Sequence, residues 1–341
     1  MPPPRDRSGD WGQVRLHVVT GKGGTGKSTV AAALALALAS SGRNVLLCEV
    51  EGRQGIARMF DVDPLPYEER RIAKGAPDAG GRAGQVHALH IDPESALLEY
   101  LAMYYKLGRA GKALDRFGVI DFATTIAPGV RDVLLTGKVY EAVQRPRAGR
   151  RKEQITYDAV VLDAPPTGRI SQFLGVNSEL AGLARVGPIK NQADNIMELL
   201  RSPRTAVHLV TILEEMPVQE TSDGIAELRS AGLPVGGVVV NLVRPRDLGD
   251  AALAQVRDEQ VDQAAVASDL TRAKVDVDAG LVESLLQEGR DHAVRRLLED
   301  QQRALVAEEG VPTYELPRIA GGIDRGALVE LAQLLRKQGL A

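Results

Sequence analysis

Residues 21–29 read Gly-Lys-Gly-Gly-Thr-Gly-Lys-Ser-Thr, and no other stretch constrains the chain as strongly. The spacing is glycine, four residues, then Gly-Lys-Ser/Thr, which is that of a phosphate-binding loop. Its surroundings fit. Val14–Thr20 is a short β-branched run that predicts a strand, and Val30–Ala39 is an Ala/Leu-rich run that predicts a helix. Gly21, Gly23, Gly24 and Gly26 let backbone N–H groups turn inward around an anion, with Thr25 and Thr29 completing the lining. The helix N-terminus behind them adds partial positive charge. Lys27 is placed to reach the β- and γ-phosphates and Ser28 to set its hydroxyl on Mg2+, so the expected ligands are ATP and Mg2+.

Asp163 is the natural partner of this loop. It ends the apolar run Tyr157–Asp163, so a parallel sheet would bring it to the loop's edge, where a carboxylate supports Mg2+ through water. Lys22 is a second lysine inside the loop. One residue after the first glycine, it cannot easily fold back onto its own phosphates, but it can reach across a dimer interface as an arginine finger does. The plain alternative is a solvent-exposed charge.

The 341 residues, 44% hydrophobic, are enough for one large core. A net charge of −3 argues against nucleic acid as the partner. Cys48 is the single cysteine and lies in the apolar run Asn44–Val50, so an internal disulfide is impossible and a buried strand position is expected. Residues 1–12 have no apolar centre and are expected to be a disordered lead; residues 13–341 are expected to form one domain. No apolar run is long enough to span a bilayer. The cytoplasm is the expected compartment, with contact to a membrane surface left open.

Strand-like and helix-like runs alternate to the C-terminus, which predicts an α/β fold with a doubly wound, mostly parallel sheet. Residues 75–84 read as a flexible glycine-rich loop. A helical subdomain is expected from about 94–150 and 170–205, two or three polar-faced helices over 250–307, a short strand at 313–317 and a last helix over 325–338.

The loop resembles the deviant phosphate loop of the MinD/ParA/ArsA group of dimeric ATPases, and Asp163-Ala164-Pro165-Pro166-Thr167-Gly168-Arg169 resembles the second switch of the ArsA branch. That branch includes the arsenite-pump ATPase and the eukaryotic targeting ATPase for tail-anchored membrane proteins. Weaker matches follow in consistent order: Ile91-Asp92-Pro93, Ala127-Pro128-Gly129, the strand ending in Asn241, and Leu316-Pro317 before a glycine-bearing loop. The resemblance implies a Mg-ATPase whose nucleotide state switches a dimer, homomeric or with a related ATPase, and controls a partner such as a membrane-protein client. It implies that Lys22 acts in trans, that Asn241 hydrogen-bonds adenine, and that Pro317 begins a loop flanking the base.

Three departures qualify it. Where the family has a water-activating Asp in Asp-Pro-Ala-His, this chain has Glu51-Gly52-Arg53-Gln54, so Glu51 takes the role, one methylene longer. Glu49, two residues earlier, ranks below it, expected either on the opposite side of the strand or buried near the site. The zinc-clasp Cys pair and the arsenite-binding cysteines are missing, so neither zinc nor arsenite is expected. Five Met in total argue against a long Met-rich client groove. Two other readings stay open: a MinD/ParA-like positioning ATPase at a membrane, and a small-molecule ligase or kinase of the same phosphate-loop class.

Overall fold

A computed structural model of the chain describes residues 10–50, 54–77, 81–96, 98–99, 129–145, 156–183, 188–246 and 248–341. Among them eight strands form one sheet in the order β3-β4-β2-β5-β1-β6-β7-β8. They are β1 (Leu16–Gly21), β2 (Val45–Glu49), β3 (Arg70–Lys74), β4 (Gln85–His90), β5 (Ala159–Asp163), β6 (Thr205–Thr211), β7 (Val235–Val243) and β8 (Thr313–Pro317). All neighbours run parallel except the β3/β4 pair. The expected doubly wound α/β fold is what forms, and β1 lies in the interior of the sheet between β5 and β6.

Each inner strand is buried on both faces, as continuous aliphatic runs require when helices cover both sides. On one face α1 (Lys27–Ser40) packs beside the last helix, Arg325–Lys337. Their small and aliphatic side chains share a core with Val19, Val45, Leu47, Ala159 and Val161. On the other face lie α3 (Val130–Gln144), α4 (Thr167–Leu183), α5 (Pro188–Arg201) and α6 (Glu215–Ser230), around Leu46, Cys48, Val160, Leu162, Val207 and Leu209. Between them in sequence, α2 (Gly55–Met59) follows β2 on the α1 side. After β7 come α7 (Asp250–Arg257), α8 (Gln263–Arg272) and the 30-residue α9 (Ala279–Glu308); Arg325–Lys337 is α10.

Several expectations shift. The described parts of the region assigned to a helical subdomain, α3 to α5, share one apolar core with the sheet; 100–128 and 146–155, including Ala127-Pro128, fall outside the described residues. The folded chain begins earlier than residue 13: Asp10–Gln13 is a 3-10 turn, and Trp11 is buried with its Nε1 donating to the Tyr314 hydroxyl at 3.2 Å. The strand β3 had no signal, because Arg70, Arg71 and Lys74 of its five residues are charged and exposed at a sheet edge. Charges on an edge strand keep it from pairing further. Cys48 is buried in β2 as expected, and burial pushes its thiol pKa up.

Under the sheet edge, Arg145 donates to Glu69 at 2.8 and 3.0 Å and to Glu141 at 3.0 and 3.1 Å, and Tyr157 donates to Glu69 at 2.7 Å. Burial would raise the Glu69 carboxyl, but the hydrogen bonds from Arg145 and Tyr157 outweigh it and hold its pKa below the usual value. The network ties β3 to α3 and to the start of β5. Arg145→Met would strand the Glu69 carboxylate in a half-buried place. The expected loss is about 2 kcal/mol in a urea titration, less than for a fully buried pair because Glu141 is partly exposed.

Candidate functional site

β1 ends at Gly21, where φ is 152° and a Cβ would stand 2.2 Å from the Val210 carbonyl oxygen on β6. Only glycine lets the chain leave the sheet there. Residues 22–26 then arch to the start of α1, and Gly26 (φ 88°) lies so close to Asn241 that a Cβ would meet its amide nitrogen at 2.3 Å. At Gly23 and Gly24 a Cβ would meet nothing within 4 Å, so the mouth of the arch is open. α1 has no side-chain cap on its first turn, which leaves its N–H groups facing the loop. Lys27 opens this helix and is only 9% exposed.

Ser28 donates its hydroxyl to Asp163 Oδ2 at 2.6 Å. The parallel register of β1 and β5 sets Asp163 opposite Val19, which brings the two groups together across 135 residues of sequence. A hydroxyl and a carboxylate are an oxygen-only donor pair, and they suit a hydrated Mg2+. With the open arch and the uncapped helix, the residues present fit a Mg-nucleotide. The second switch stretch is tied to the same edge: the Thr20 hydroxyl donates to the Pro165 carbonyl at 2.7 Å and Ala164 N–H to Val19 at 2.9 Å.

Lys22 does not point into solvent. Its Nζ pairs with Glu220 on α6, whose other oxygen lies 3.5 Å from the Thr167 hydroxyl. The Thr25 hydroxyl donates to the Lys22 carbonyl at 2.9 Å, and the Asn241 side-chain amide donates to the Thr25 carbonyl at 2.9 Å. Asn241 thus braces the loop from behind. It also lines a cavity of about 520 Å³ with Leu213, Leu242, Leu298, Arg295 and Arg318. Pro317 ends β8 opposite Val243, and the residue after it, Arg318, donates its N–H to the Val243 carbonyl at 2.9 Å. Thr29, on the first turn of α1, sets its hydroxyl 3.6 Å from the Met59 sulfur of α2.

Glu51 lies outside the described residues, with 52 and 53. Glu49, ranked below it in the sequence, ends β2 in register with Asp163 and His90. Val45 and Leu47 of the same strand pack on the α1 side, so the period-two alternation puts Glu49 on that side too, beside the loop. It is 2% exposed, and its Oε1 accepts the Gly55 N–H at 2.8 Å, fixing the start of α2. Of the two placements left open for it, burial near the site is the one found.

The helix α3 falls where the sequence placed one, but sequence reasoning missed Glu220 and the contacts of Arg131 and Asp132. Adjacent residues of α3 reach the end of the β2 segment and the second switch stretch: Arg131 donates to the Val50 carbonyl at 3.4 Å, and Asp132 pairs with Arg169 at 3.9 Å. Burial raises the Asp132 carboxyl above its usual pKa, with the Arg169 and Arg131 charges opposing. No local pattern marks such partners, since they are made by packing of distant segments.

Residues 14–203 match the family model described as anion-transporting ATPase. The chain is 51% identical to ATPase BagA of Mycobacterium tuberculosis over 331 residues, covering 96% of this chain and 94% of that one. It is 26% identical to ATPase GET3 of Chaetomium globosum over 287 residues, 73% of this chain and 78% of that one. The loop, the Ser28–Asp163 pair and residues 163–169 fall within the matched span, and the chain belongs to the ArsA family of ATPases.

Proposed function

We propose that this ATPase works as a nucleotide-driven dimer switch whose state controls a partner protein, a membrane-protein client being the class implied by its resemblance to the targeting ATPases. The observation that carries the nucleotide half is the Ser28–Asp163 hydrogen bond at the foot of the uncapped α1. The backbone N–H groups of residues 23–27 and the Lys27 ammonium hold the phosphates. Ser28 and Asp163 hold Mg2+, which, when bound, neutralises charge on the β- and γ-phosphates. Glu51 orients or deprotonates the attacking water. Asn241 and the loop from Pro317 recognise adenine, with the cavity beside Asn241 as the space for the base. Lys22 crosses to the partner subunit's phosphates.

The switch half is supported by α3. Because Arg131 and Asp132 are consecutive and touch Val50, just before Glu51, and Arg169, a rearrangement of the stretch after Val50 or of the second switch would pull on one helix. In sequence that helix comes shortly after residues 100–128, another part of the expected helical subdomain, which would bind the partner. The dimer is formed by two copies or with a related ATPase. The positioning and the ligase readings have no comparable support; α10 buries Leu328, Leu331 and Leu335 in the core and so has no apolar stripe free for lipid. Among the described residues no helix is long and apolar enough to cross a membrane.

Sedimentation of the chain with Mg2+ and a non-hydrolysable ATP analogue tests the dimer, against ADP as control. Lys22→Ala is expected to lower phosphate release about 100-fold or more while ADP affinity stays within a few-fold, since a lysine acting in trans contributes only in the closed dimer. Full phosphate release by Lys22→Ala would remove the trans role.

A further inference from the structure

The contact made by Lys22 in the single chain bears on how the switch is held open. Its ammonium is engaged on its own subunit, by Glu220 on α6, 198 residues away. The lysine's backbone has little freedom, because Thr25 bonds the Lys22 carbonyl through both its N–H (3.3 Å) and its hydroxyl (2.9 Å). Only the side-chain torsions are left to move, and Glu220 fixes where they end. The same carboxylate faces Thr167, the first residue of α4 and part of the second switch stretch. One turn further along α6, a Cβ on Gly224 would come within 3.3 Å of the Thr167 methyl, so α6 and the start of α4 are packed with little slack. A shift of Thr167 therefore moves against Glu220.

We propose that Glu220 is a positioning residue that holds Lys22 in cis, and that the dimer closes when this pair breaks, the break being coupled to rearrangement at 163–169 through Thr167. This rests on the reading that Lys22 acts across a dimer. The two side chains are 30% and 36% exposed. An ion pair so exposed biases an equilibrium by a few-fold and no more, which suits a latch that nucleotide can open. Removing it twice per dimer, once in each subunit, multiplies the effect.

The test uses the full chain with Mg2+ and a non-hydrolysable ATP analogue, read by sedimentation velocity over a range of protein concentrations. Glu220→Gln is isosteric and keeps a hydrogen-bond acceptor for Thr167. It is expected to lower the dimerisation midpoint roughly three- to tenfold, and Glu220→Asp, which restores the charge, to bring it back towards wild type. Without nucleotide, acetylation of Lys22 read by mass spectrometry should be several-fold faster in Glu220→Gln, while the exposed Lys274 is unchanged as internal reference. A packing role for Glu220 would not change the chemical reactivity of Lys22. In the wild-type chain, raising KCl from about 50 to about 500 mM should speed Lys22 acetylation relative to Lys274, because salt screens exposed pairs; equal relative rates would overturn the latch with no variant needed. A Glu220→Gln midpoint within twofold of wild type, or a higher one, would also overturn it. If that happens while Lys22→Ala abolishes closure, the trans reading stands and only the latch falls. If Lys22→Ala dimerises as wild type does, the trans reading falls and takes the latch with it.

Discussion

Phosphate release by the Lys27→Ala chain should fall at least about 100-fold, the cost of removing one charged donor from a preorganised site where charge develops. Lys27 is the largest single electrostatic contribution the loop can make, because it opens α1 and is nearly buried beside Ser28 and Asp163. With phosphate bound, desolvation would strengthen its hold on the oxygens and leave bulk water little access to replace it. The fold should survive, since the apolar face of α1 from Val30 to Ala39 is untouched. A phosphate assay run beside a thermal melt separates the two effects. Activity that persists in a well-folded Lys27→Ala chain would place catalysis somewhere other than this loop.

Acid should destabilise the chain sharply between pH 6.5 and about 4, through two histidines in the middle of the sheet. His17 on β1 and His208 on β6 are fully buried, their rings stacked with centroids 5.4 Å apart and a 3.1 Å contact between Nδ1 of His17 and Nε2 of His208. One ring must donate to the other, so at least one of the two must be neutral for the contact to form. Burial lowers both pKa values, that of His208 to about 4; for His17 the His208 and Arg43 charges add to it. In the unfolded chain each histidine binds a proton near pH 6.5, whereas the native chain refuses it until much lower pH. The contribution is therefore complete above pH 6.5 and drains away as pH falls through this window. By pH 4 His208 alone accounts for about 3 kcal/mol, and His17 adds in the same direction. Urea titrations at pH 7.5, 6 and 5 measure this. Trp11, the one tryptophan, sits 5.2 Å from the His208 ring and reports the event by fluorescence. His208→Asn should flatten the pH dependence by about one proton; an unchanged slope would mean that other groups drive acid unfolding.

The parts of this protein legible in its sequence are those fixed by local chemistry. The loop needs glycines at set offsets, so Gly21, Gly26, Lys27 and Ser28 announce themselves, and the aliphatic runs of β2 and β5 follow from burial on both faces. Asp163 was within reach because a strand-end carboxylate in a parallel sheet has one edge to go to. The same reasoning passed over β3, whose charged residues carry no burial signal, and assigned Trp11 to a disordered lead although it packs against a histidine nearly two hundred residues away. Glu220 and the Arg131–Asp132 pair were invisible for a different reason. Their meaning lies in which segments α6 and α3 touch, and helical patterns specify which face is buried without naming its neighbour. Glu49 is intermediate: the strand predicted its position, and only the packing of Val45 and Leu47 on the α1 side showed which side it takes.

The interior position of β1 bears on how the chain is made. This strand is synthesised before both of its hydrogen-bonding partners, β5 at 159–163 and β6 at 205–211. Until those residues are synthesised, both edges of β1 and the loop that follows are unpaired, and the Asn241 brace on Thr25 arrives later still. Contacts of such sequence separation close slowly. A nascent chain therefore carries an unformed loop until residue 241 has been made, with an aliphatic strand open to wrong pairing in the meantime. A nucleotide bound at this loop could stabilise the chain only once that assembly is complete.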